Sequence, residues 1–154
     1  MGIKQVLGAL VGLGGVFALA VGAQAQPVCS YAVEVNAVRG GSPAVKGGVK
    51  SITAKARIAN GTAPGGTTQT GTTFTIDAIC ISGACTPGAN LGSASGGPVT
   101  LLVGRGGRGG KIDVPTACGP GDRVNYVATF TGLDGTGNGA TCTGVGSSRN
   151  KTCQ

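Results

Sequence analysis

Hydrophobic positions in this chain recur at every second residue rather than at helical spacing. "YAVEVNAV" sets Tyr31, Val33, Val35 and Ala37 on one face, with Glu34 and Asn36 on the other. "VKSITAKARIA" sets Ile52, Ala54, Ala56 and Ile58 against Lys55 and Arg57. "TTFTIDAICI" gives Phe74, Ile76, Ala78 and Cys80 against Thr75 and Asp77. "VTLLV" is short and continuous, and "KIDVPTAC" places Ile112 and Val114 opposite Asp113. "RVNYVATFT" gives Val124, Tyr126, Ala128 and Phe130 against Arg123, Asn125 and Thr129. Alternation at period two in runs rich in β-branched and aromatic residues predicts half-buried strands.

Turn-forming stretches separate the runs: "RGGSPAVKGG", "NGTAPGG", "CTPGANLGSASGGP", "GRGGRGG" and "CGPGD". Gly, Pro and Asn supply the backbone angles that tight connections need. Six or seven short strands so joined predict an all-β fold, a single disulfide-bonded β-sandwich, immunoglobulin-like in the broad sense. The chain has no Trp, so the cysteine–tryptophan signature of antibody domains is missing. Pro115 cannot donate to a ladder, which predicts an edge strand or a bulge there.

The N-terminus changes the setting. Lys4 precedes an apolar, uncharged stretch from Val6 to Gly22, and Ala23-Gln24-Ala25 is a small-x-small site. This predicts a secretory signal peptide over 1–25, cleaved after Ala25, and a β-sandwich domain over 26–154. Within that domain, 26–48 reads as an N-terminal strand with a Gly-rich linker. The glycines of the apolar stretch make a poor membrane helix, so no membrane span is expected after signal removal. Cys29 follows Gln26, Pro27 and Val28, which do not make a lipid-attachment site.

All six cysteines, Cys29, Cys80, Cys85, Cys118, Cys142 and Cys153, fall after that cleavage site, which predicts three disulfides in an oxidising compartment. Ser82-Gly83 can form a two-residue hairpin turn that faces Cys80 with Cys85. Cys142 with Cys153 would close a C-terminal loop, and Cys29 with Cys118 would tie the first strand to the sandwich. The rival pairing is Cys80 with Cys118.

Composition adds a shallow core. Aromatic residues are 3% of the chain and glycine numbers 32, yet hydrophobic residues reach 40% and charged ones only 11%. That balance predicts a folded domain rather than disorder. The formal charge is +7, from which removal of Lys4 takes one unit, and such a chain favours anionic polysaccharides or surfaces. "GRGGRGG" resembles an RNA-binding tail, but such tails run for many repeats with interleaved aromatics. It reads instead as a solvated Gly-rich loop, with Arg105 and Arg108 as candidate polyanion contacts and no specific nucleic-acid partner.

Catalytic chemistry has little to work with. There is no His, and the acids are Glu34, Asp77, Asp113, Asp122 and Asp134. "LDGTGNGATC" resembles the first half of a calcium loop, with Asp134, Thr136 and Asn138 at alternating positions. Thr136 stands where an acid belongs, and Val145 where the bidentate Glu belongs. Calcium is therefore a weak candidate, and no other cofactor is expected. The threonines of "GGTTQTGTTFT" suit the exposed face of a strand, and Asn60 and Asn150 begin glycosylation sequons. These observations together predict a secreted or cell-surface, non-catalytic β-sandwich. Its expected role is a structural or adhesive subunit in which "YAVEVNAV" either pairs within its own sheet or detaches to pair with a neighbouring copy and so builds a fibre or matrix. The alternative is a soluble extracellular module that binds an anionic glycan or small ligand.

Overall fold

A computed structural model describes residues 29–43, 48–61, 68–104, 107–133 and 140–154. The signal peptide expected over 1–25 lies outside the described residues. Among the described residues eight strands form two antiparallel sheets: β1 (Tyr31–Arg39), β2 (Val49–Gly61), β3 (Thr68–Ser82), β4 (Asn90–Leu102), β5 (Arg108–Pro115), β6 (Arg123–Leu133), β7 (Thr141–Ser147) and β8 (Lys151–Thr152). One sheet has the order β1-β2-β5; the other runs β4-β3-β6-β7, with β8 also paired to β6. The sheets pack as a β-sandwich-like pair.

The core follows from period-two alternation. β2 contributes Ile52, Ala54, Ala56 and Ile58, β3 contributes Phe74, Ile76 and Ala78, and β6 contributes Val124, Tyr126, Ala128 and Phe130. Phe74 and Phe130 are cross-strand partners and stack with ring centroids 5.0 Å apart. Such a contact adds about 1 kcal/mol beyond the area it buries. Pro115 ends β5, which is an edge strand of its sheet.

Four local expectations are corrected. First, the phase of β1 slips: Val35 pairs with Ala56 but Ala37 pairs with Lys55, so Asn36 bulges. Beyond the bulge Val38, not Ala37, packs on the core. Second, β4 begins at Asn90, so most of "CTPGANLGSASGGP" is strand rather than connection. Leu91 and Ala94 pack against the core from a run whose other strand residues are mostly too small to show a hydrophobic period.

Third, β7 and β8 fall in a stretch that reads as loop. Cys142, Gly144 and Gly146 take the inward positions of β7, and Val145 points out, 63% exposed. The inward glycines leave room for β1: a Cβ on Gly144 would stand 2.6 Å from Val33 Cγ1, and one on Gly146 would stand 2.7 Å from Val35 Cβ. Fourth, two disulfides exchange partners. Cys80 is bonded to Cys85, but Cys29 is bonded to Cys142 and Cys118 to Cys153. The expected Cys29–Cys118 and Cys142–Cys153 bonds assume that the C-terminus is a loop. Because 141–147 is a strand beside β1, Cys142 meets Cys29 instead. The turn after β3 also differs, since Cys80 donates to Ala89 and accepts from Gly88, both at 2.9 Å. The chain therefore reverses over 83–89, and the Cα atoms of Cys80 and Cys85 lie 6.1 Å apart.

The two sheets touch along both sides. β1 packs beside β7 and β4 beside β5. Ala117 donates to Leu91 at 2.8 Å, and Gly104 to Ile58 at 3.2 Å, so backbone bonds bridge the sheets at both ends of β4.

Candidate functional site

The bulge at Asn36 lies at the junction of two concavities. One is a cleft of about 420 Å³ between the end of β1 and the C-terminal strands, lined by Asn36, Ala37, Arg39, Ser147, Arg149 and Lys151 among others. The second is a groove of about 370 Å³ on the outward face of the three-stranded sheet, lined by Asn36, Ala37, Arg39, Thr53, Lys55 and Gly107. Asn36, Ala37 and Arg39 belong to both. Arg39, Lys55, Arg149 and Lys151 therefore line two adjoining concavities, and no carboxylate is among the described residues that line them.

Each cation is placed by a structural cause. Arg39 is the last residue of β1 and pairs with Thr53. Lys55 takes the outward parity of β2, between the buried Ala54 and Ala56. Arg149 follows Ser148, which is buried and fixed to β6: its amide donates to the Tyr126 carbonyl at 2.9 Å, and its hydroxyl accepts from the Tyr126 amide at 3.0 Å. Lys151 begins β8 and pairs with Val124, and two residues later the Cys118–Cys153 bond anchors the strand.

The described acids lie elsewhere. Glu34 accepts from Arg57 Nη2 at 2.9 Å and Nε at 3.1 Å across the β1–β2 ladder. Asp113 accepts from Ser51, and Asp77 from Ser93 and Asn90. Asp122 is 2% exposed, and its carboxylate accepts from the backbone amides of Gly119 (2.8 Å), Ala84 (2.7 Å) and Cys85 (3.2 Å). The Gly119 amide foremost, with those of Ala84 and Cys85, holds this carboxyl below its usual range, against the opposing effect of burial. Asp122 thus latches the 83–85 turn to the β5–β6 connection. Among the described residues no group of three or more His, Cys, Asp or Glu side chains is arranged to hold a metal.

Of the residues singled out by sequence, Arg108 is exposed, but it is the first residue of β5, paired with Ala56, and not part of a loop. The glycines after it serve close approach: a Cβ on Gly109 would collide with the Ala54 carbonyl, and one on Gly110 would stand 2.9 Å from Phe74 Cζ. Arg108 lines a separate shallow groove with Val99, Thr100, Leu102 and Gly109. Arg105, Asp134, Thr136 and Asn138 lie outside the described residues. Asn150 is exposed between β7 and β8.

Sequence reasoning passed over Arg39, Arg149 and Lys151 because more than a hundred positions separate Arg39 from the other two. The only local signal is the short basic run "SSRNKTC". Comparison with models of known protein families gives no match, and comparison with curated proteins gives none.

Proposed function

We propose that this chain is an exported, non-catalytic β-sandwich, immunoglobulin-like in the broad sense, that serves as a structural or adhesive subunit on a cell surface or in the matrix around it. The covalent frame carries this reading. Three disulfides fasten the start of β1, the turn after β3 and the C-terminus to the sandwich. Such a frame suits a small module with few aromatic residues that must persist in an oxidising setting. The outward face of the larger sheet presents Thr73, Thr75, Thr129, Thr131, Thr141 and Thr143 on three adjacent strands, a surface for contact.

Assembly by exchange of β1 is a second reading, favoured by one observation: among the described strands β1 is at the edge of its sheet, with β2 as its ladder partner, and Gly40-Gly41 follows it. Exchange would place Cys29 of one chain against Cys142 of the next. Two measurements on cells exporting the full chain test these readings. In the first, a structural or adhesive subunit stays with the cell surface or matrix, whereas recovery in the medium alone favours a soluble binding module. In the second, non-reducing electrophoresis shows a ladder that reduction collapses where β1 is exchanged, and a monomer where β1 stays in its own sandwich.

A further inference from the structure

We infer that the basic surface along β1 is a binding site for a polysaccharide bearing carboxylate or sulfate groups. The inference rests on the adhesive reading above and names the partner. Four cations from three separate segments, Arg39 on β1, Lys55 on β2, and Arg149 and Lys151 at the C-terminus, line two concavities that meet at the Asn36 bulge. Gathering like charges costs self-repulsion unless an anion is supplied. The chain does supply internal acids where it needs them, since Glu34 engages Arg57 on the same pair of strands. No acid is given to Arg39, Arg149 or Lys151 among the described lining residues.

Shape narrows the ligand. The cleft and groove adjoin along β1, sharing Asn36, Ala37 and Arg39, so together they suit an extended chain with repeated charges better than one compact ion. Neither concavity has an aromatic side chain among its lining residues, so the sugar rings or bases of a ligand gain no stacking there. Nucleic acid, which draws on stacking as well as charge, is the poorer match. Asn36 and Ser147 offer neutral hydrogen-bonding groups beside the cations, suited to sugar hydroxyls. Arginine adds paired donors that match carboxylate and sulfate.

The test is equilibrium binding of the exported full chain to immobilised alginate and heparin, with dextran as the neutral control. Both anionic chains are expected to bind and dextran not, with affinity falling steeply between about 50 and 300 mM salt. Arg39→Gln with Arg149→Gln should weaken binding by about tenfold or more, whereas Lys50→Gln with Arg123→Gln, an equal loss of charge at positions that line neither concavity, should change it less than about twofold. Lys55→Gln with Lys151→Gln repeats the test should the first pair fail to fold. Equal losses in the two sets, no binding to either anionic polysaccharide, or tighter binding to phosphatidylglycerol vesicles or duplex DNA would each overturn the inference. Surface retention without polysaccharide binding would sink the inference alone. Polysaccharide binding by a chain found only in the medium would sink the adhesive reading alone.

Discussion

Cys29 and Cys142 are joined across 113 positions of sequence with Cα atoms 5.3 Å apart, so the start of β1 is fastened to β7 in the facing sheet. Among the described residues β2 is the ladder partner of β1, Tyr31 donates its hydroxyl to the Leu133 carbonyl of β6 at 3.1 Å, and this disulfide adds a covalent attachment. By loop entropy a closure of this length stabilises by about 5 kcal/mol, against about 2 kcal/mol for the short Cys80–Cys85 loop. Cys29→Ser with Cys142→Ser should therefore lower stability far more than Cys80→Ser with Cys85→Ser. Denaturant unfolding of the two double variants checks the order.

Gly144 and Gly146 determine how closely β1 approaches β7. A side chain at either position must displace Val33 or Val35. Gly144→Val and Gly146→Val should each cost about 1–3 kcal/mol, the usual penalty of overpacking. Val145→Thr, between them but pointing outward, should change stability by less than about 0.5 kcal/mol. Equal effects at all three positions in chemical denaturation would contradict the inward placement of the glycines.

Asp122 ties stability to pH. Its carboxyl is lowered in the folded protein, so the unfolded chain takes up its proton more readily. The stabilisation is complete above the unfolded value of about 4 and is lost as pH falls through the lower folded value. The melting temperature should therefore fall as the solution is acidified below about pH 4. Asp122→Asn should melt lower at neutral pH and lose less on acidification, as thermal melts of the two proteins at matched pH will show.

The tandem arginines are expected to matter little to folding. Arg108 is exposed at the start of an edge strand, with no carboxylate among its described groove neighbours. Arg105→Ser with Arg108→Ser should leave the unfolding free energy within about 0.5 kcal/mol of the parent. A loss of several kcal/mol would assign these arginines a structural role.

Strands whose inward positions carry large side chains were legible in the sequence. The period of β2, β3 and β6 is written in Ile52, Ile76, Tyr126 and Phe130, and those residues are buried as the alternation requires. Strands that turn glycine or alanine inward were not. In β7 and most of β4 the filling volume comes from another strand, such as Val33 opposite Gly144, and a glycine leaves no mark in a hydrophobic pattern. The same blindness misassigned two disulfides, because Cys142 meets Cys29 only once β7 exists. The basic cleft was illegible for a different reason. Arg39 and Lys151 come to line one cleft through the packing of β1 beside β7, and no local spacing encodes that arrangement.

An exported, covalently framed module is tested most directly by the intact mass of each chain recovered after export, measured under denaturing, non-reducing conditions with an alkylating agent present. The expected chain begins at or near Gln26, carries no alkyl group, and becomes alkylated at all six cysteines only after reduction. Retention of residues 1–25, or alkylation of two or more cysteines before reduction, would contradict the account.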